Sequence, residues 1–327
     1  MENFTAARIL KETSAFVAVR ALAAAAVTLI MLLVGAIGTI AALALLKAGL
    51  EIPAIIVFIV VFGGLFALLR FAKKYFLYMI KAAHIAAITE LITTGSIPEN
   101  VKGFKGVIAY GKEKITNNFG SANIAFVADA LIAGAVKQIM KWLNKAQKLF
   151  SWIPGAEKIL QFLNLVLSTA LNYIDEAILS YIFYKKDEKG NAFKKACDGL
   201  SYYAQSWKGM LKGAFKVAAF IWILRAVVFI LFYAIFLALG RVLVSSDAAY
   251  LFGVILAWVL LYGIEAVIVV PYSTCIMIND YHKAIAGQEL KRDLHGTLCK
   301  VSGKFKSLFG KSEQPLPVEP AAIPEML

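Results

Sequence analysis

Charge is scarce in this chain. Asp, Glu, Lys and Arg make up 17% of its 327 residues, against about 25% in soluble domains. With 60% hydrophobic residues and a mean hydropathy of +0.73, that shortage excludes a soluble globular protein. Cysteine is scarcer still. Cys197, Cys275 and Cys299 are odd in number and form no C-x-x-C pair, so they suggest neither a disulfide framework nor a zinc site. Catalytic and cofactor motifs are missing too. Gly310-Lys311-Ser312 resembles the end of a P-loop, but Phe305 stands where the leading glycine belongs and no strand precedes it. His84, His282 and His295 are too scattered for a metal triad, and neither H-E-x-x-H nor G-x-S-x-G occurs. The expectation is therefore a chain that is not an enzyme and carries no cofactor.

What is present is oil. The run from Ala21 to Leu46 holds twenty-six residues without a charge, and a helix needs roughly 20 to cross a bilayer core. Its length, about twice the 7–15 residues of a signal-peptide core, and its lack of a cleavage signature predict that it stays in the membrane. Six apolar blocks follow one another at about 16–46, 52–69, 119–136, 156–184, 214–240 and 248–279. They predict an all-α, polytopic membrane protein with four to six crossing helices and interfacial amphipathic helices. The expected division is a helical membrane domain over 1–282 and a tail over 283–327, basic and then Pro-rich, cytoplasmic and partly disordered.

The net charge of +13 collects between the apolar blocks and in the tail. That pattern reads as topology, because lysine and arginine accumulate in cytoplasmic loops near anionic headgroups; a nucleic-acid partner would need a basic face on a soluble module. The short turns Lys47 to Glu51 and Arg241 to Asp247 make outward-facing hairpins. Both termini then lie in the cytoplasm, with the membrane read as the plasma membrane of a prokaryote. Lys137, Lys141, Lys145 and Lys148 separate blocks three and four. Either these blocks cross against the charge bias, or they are embedded without crossing. Helical spacing through Phe76, Ile80, His84, Ile88 and Leu91 predicts that the second helix continues well beyond the bilayer until Pro98, after Gly95 and Ser96, ends it. The stretch Ala192 to Lys216, with Phe193, Leu200, Tyr203, Trp207 and Leu211 among lysines, reads either as an interfacial helix or as a cytoplasmic helix packed on the bundle.

Ionisable residues inside apolar helices are costly and tend to mark pathways. Asp129, Asp175, Glu176, Arg225 and Glu265 qualify. Four acids against one arginine suggest a site for a proton or a cation. Arg225 and Glu265 lie about equally far from their connecting turn, so they are expected to pair, as a structural lock or a gate; Asp129 could join such gating or serve an interhelical bond. Asp175 and Glu176, about 100° apart on a helix, are not expected to share one neighbour. Trp258, Tyr262 and Glu265 share a helical face. With Tyr173, Asp175, Glu176 and Trp222 they form a candidate substrate site in which aromatic rings and carboxylates could hold an organic cation; packing or an interface belt is the alternative. Gly263 and Pro271 predict a kink nearby.

The order of features resembles the membrane core of the choline transporter-like family. The resemblance is carried by Phe119-Gly120-Ser121 opening an apolar helix, a lysine-bearing helix ending near Trp142-Leu143, then Phe162-Leu163-Asn164 and Ala170-Leu171-Asn172-Tyr173-Ile174. It continues with Asn191-Ala192-Phe193 opening an amphipathic connector, a span with a central charge, and a last span with Tyr272 and Cys275. It implies a transporter-like protein moving choline or a related amine. That family normally has additional spans and a large extracellular domain before this core. Two other readings stand beside it: an oligomeric pore, with Gly35, Gly38, Gly63 and Gly64 allowing close helix packing, and a non-transporting scaffold that binds anionic lipid or a partner protein.

Overall fold

A computed structural model describes residues 4–72, 77–97, 101–120, 130–138, 173–186, 191–243, 248–290 and 294–313. All regular structure among these described residues is helical. The elements in order are Ala6–Glu12, Ser14–Lys47, Glu51–Ala72, Tyr78–Thr94, Gly103–Phe119, Ile174–Tyr184, Ala192–Leu243, Ala248–Ile264, a π-helical turn Glu265–Val269, Val270–Ile285, Leu294–Val301 and Gly303–Ser312. Among the described residues, four segments are long and apolar enough to cross a membrane: Ser14–Lys47, Glu51–Phe71, Gly213–Arg241 and Gly253–Ile285. The chain is an integral membrane protein.

The chain divides into two compact units. The first, called here the membrane unit, comprises Val17–Tyr78 and Ala219–Tyr272. Its first two helices join through a turn in which Gly49 takes φ +75°, while Leu50 N–H reaches Leu45 O and Gly49 N–H reaches Leu46 O. That is a Schellman closure, which only glycine enters without strain. Gly38 lies against the Val61 side chain and so brings these helices close. Nearly every exposed large apolar side chain of the described residues belongs to this unit, from Leu22 through Phe71 and from Trp222 through Ile268. Such a surface is stable only in lipid.

The second, polar unit comprises Met1–Phe16, Met79–Ala218 and Ser273–Leu327. Its centre is the helix Tyr78–Thr94, in which Ile80, His84, Ile88 and Leu91, all four on the predicted stripe, are buried; Ala83, Ala87 and Thr89 are buried with them. The helix stops at Gly95, φ +81°, whose N–H bonds Leu91 O. Helix Gly103–Phe119 buries Val107, Tyr110, Gly111, Ile115 and Phe119, a spacing of three and four that presents one face. Ile174–Tyr184 is buried over almost its whole length. At 1.5 Å per residue its 11 residues cannot cross a core of roughly 30 Å. The question of whether blocks three and four cross falls otherwise on residues outside the described ones.

Phe193, Leu200 and Tyr203 are buried inside the polar unit. This part of Ala192–Leu243 therefore packs as a protein-covered helix. Burial drives the Tyr203 phenol well above its ordinary pKa. The tail to residue 313 folds as well. Leu298, Phe305 and Leu308 are buried, Ser302 caps the last helix by accepting from Phe305 N–H, and Asn191 donates to the carbonyls of Lys311 and Ser312. Gly310-Lys311-Ser312 thus lies at a helix C-terminus, where exposed carbonyls repel phosphate.

Candidate functional site

In the membrane unit, Arg225 and Glu265 form the expected pair. Both carboxylate oxygens are used, Nε donating to Oε1 and Nη2 to Oε2. The fork geometry fixes both side chains. Glu265 opens the π turn, and Val270 N–H reaches back five residues to Glu265 O. Pro271 explains the turn's position: it has no N–H to donate and its ring crowds the carbonyl four residues earlier, so the helix widens ahead of it. Trp258 sits edge-on to Phe229, ring centroids 6.1 Å apart, and is largely exposed on the apolar surface; Trp222 is exposed there as well.

In the polar unit, Lys81 Nζ lies 2.9 Å from Asp175 Oδ2 and 3.7 Å from Glu176 Oε1. The two consecutive acids therefore do share one neighbour, against the expectation from their angular separation. The four-carbon lysine stem lets one ammonium stand between positions 100° apart. Thr274 Oγ1 also donates to Glu176 Oε2. Tyr173 is buried at the N-terminal boundary of the same helix.

A second group surrounds Glu90, which accepts from Tyr110 OH and from Lys114 Nζ. Burial, and then the bond to Glu90, push the Tyr110 phenol far above its ordinary pKa, so it keeps the proton that it donates to Glu90. A third group is a buried chain of hydroxyls and imidazoles. Thr89 gives its hydrogen to Ile85 O, so it accepts from Ser180; Ser180, its hydrogen spent, accepts from His282 Nε2 at 2.8 Å. Thr13 likewise gives its hydrogen to Ile9 O and accepts from His84 Nε2. Donor counting thus assigns the Nε2–H tautomer to both histidines. His295 lies elsewhere, 3.0 Å from Asp198.

These bonds alter the charge argument. Of the four acids expected to attract a mobile cation, Asp175, Glu176 and Glu265 each hold a fixed cationic partner, and Asp129 lies outside the described residues. The proposed substrate residues are divided between the units: Tyr173, Asp175 and Glu176 in the polar one, Trp222, Trp258, Tyr262 and Glu265 in the membrane one. Three cavities formed by described residues have volumes of about 70, 290 and 400 Å³, and none is lined by any of these seven. Sequence reasoning missed Lys81, Glu90, Thr274 and the Thr89–Ser180–His282 chain. The available signal was that Lys81, His84 and Glu90 interrupt an otherwise apolar helix, where each must find a partner.

No family model, no curated protein and no solved structure matches the chain. The likeness to the choline transporter-like family therefore rests on segment pattern.

Proposed function

We propose that this chain is a membrane-anchored scaffold: its apolar helices hold it in the bilayer, and its helical polar unit offers a basic surface to anionic headgroups or a partner protein. The observation that carries this reading is the fixed pairing of Asp175 and Glu176 with Lys81 and of Glu265 with Arg225. A permeation pathway built on those acids would have to break these bonds. Exposed lysines such as Lys102, Lys105, Lys112, Lys194, Lys300, Lys304, Lys306 and Lys311 supply the surface, each worth about 1 kcal/mol near an anionic leaflet. Lysine distribution also supports placing both termini in the cytoplasm.

The test is reconstitution of the full chain. In nanodiscs containing anionic phospholipid, an amine-reactive label should modify those lysines several-fold more slowly than in zwitterionic discs. In proteoliposomes, choline counterflow should not exceed that of protein-free vesicles. Protein-dependent counterflow that Glu265→Gln abolishes would replace the scaffold by the second reading, transport of a small organic cation. One observation favours that reading: Trp258 and Tyr262 lead directly into a π turn that opens at Glu265, and π turns recur at functional sites.

A further inference from the structure

The membrane unit carries a groove that the scaffold reading does not use. It has a volume of about 400 Å³ and runs between Ala25–Leu32 of the first long helix and Leu260–Ile268 at the π turn. Its only side-chain polar atom is Thr28 Oγ1, already committed to Ala24 O at 2.8 Å. Two features of the sequence create it. Gly263 lets the two helices meet, since a Cβ there would collide with the Thr28 side chain, and the π turn sets Val267 and Ile268 along the rim. Leu29 and Ile268, on opposite walls, are each about half exposed, at 56% and 49%. The groove thus continues into the lipid-facing surface that runs along Leu22, Ile30 and Leu33.

Water cannot fill such a space, because an ordered water needs two to four polar partners. Apolar cavities of roughly 150 Å³ already take up benzene. We infer that this groove is a binding site for one hydrocarbon chain of a membrane phospholipid, held more tightly than the surrounding lipid. The hydrocarbon is the ligand chemistry that matches a dry lining, and the opening faces the medium that supplies it. Burial of apolar surface on both sides of the chain, rather than on one, is what separates it from the exchanging annulus.

The full-length protein, purified in mild detergent and taken through repeated detergent exchange, should retain one phospholipid per chain by native mass spectrometry. Leu29→Trp combined with Ile268→Trp fills the groove and should lose it; Thr28→Val keeps the volume and should retain it. A photoactivatable group placed mid-chain on a phospholipid should crosslink to peptides spanning 25–32 and 260–268 in the unaltered protein, a readout that does not depend on the variants folding. The inference is overturned by loss of all phospholipid from the parent, by equal retention in the filled variant, by crosslinks that avoid both peptides, or by a dimer whose interface covers Leu29 and Ile268. None of these outcomes bears on choline counterflow or on lysine protection, so this site and the scaffold reading fail separately.

Discussion

At the scale of residues, two adjacent acids of the polar unit share one ammonium. Lys81, Asp175 and Glu176 have side-chain exposures of 19%, 14% and 5%, so all three are largely withdrawn from water. Removing one partner of a buried ion pair costs roughly 3–5 kcal/mol, because the remaining charge keeps its desolvation penalty. Lys81→Met should therefore lower the thermal midpoint sharply in detergent, whereas Lys81→Met with Asp175→Asn and Glu176→Gln should recover most of the loss. Equal melting of the single and triple variants would show that the cluster is not the source. The Arg225–Glu265 pair was legible in the sequence because its members straddle a short turn at similar distances. Lys81 was not, because ninety-four residues separate it from Asp175 and helical periodicity carries no information across that gap.

Among the elements, Tyr78–Thr94 shows what a sequence pattern can and cannot settle. Its apolar stripe was visible, and so was an end near Gly95, although Pro98, to which the sequence pattern assigns that end, lies outside the described residues. That the rest of the helix is buried as well was not, since Lys81 and Glu90 look like wet positions until their partners are known. The contact with Gly103–Phe119 was equally hidden. A Cβ on Gly111 would stand 2.6 Å from Met79 O and 3.0 Å from the Ala83 methyl, closer than atoms of folded proteins approach. Gly111→Leu should force these helices apart and cost roughly 1–3 kcal/mol by overpacking, read as a lowered unfolding midpoint. Gly63→Leu is the comparison: no atom lies within 4 Å of its added Cβ, and removing a mid-helix glycine should leave the midpoint at or above that of the parent. The end of block four illustrates a different limit. An apolar run of crossing length was read as one segment, yet its last 11 residues form a short helix enclosed by protein, because a buried helix and a lipid-facing one share the same hydrophobicity.

For the whole molecule, the distribution of exposed apolar side chains between the units is the observation with the longest reach. Outside the membrane unit, only Phe104, Tyr184 and Phe215 among the described large apolar residues are exposed. A polar exterior over buried hydroxyl, imidazole and ion-pair networks is the arrangement of a water-facing domain, and the scaffold proposal puts the lysines on that exterior on the cytoplasmic side. The native cysteines can decide the side without any substitution. Cys197 and Cys275 are buried and Cys299 is half-buried, so a membrane-impermeant maleimide should modify Cys299 alone in the folded protein. Burial raises the Cys299 thiol above its ordinary pKa, Lys306 pulls it down and Glu313 pushes it up. The reactive species is the thiolate. A raised thiol holds its proton to higher pH, so labelling should be slow at neutral pH and keep accelerating past the ordinary thiol value. Intact cells should show no modification and inverted vesicles complete modification at alkaline pH. Label acquired from outside intact cells would place the polar unit on the opposite face, and with it every lysine that the scaffold reading assigns to the anionic inner leaflet.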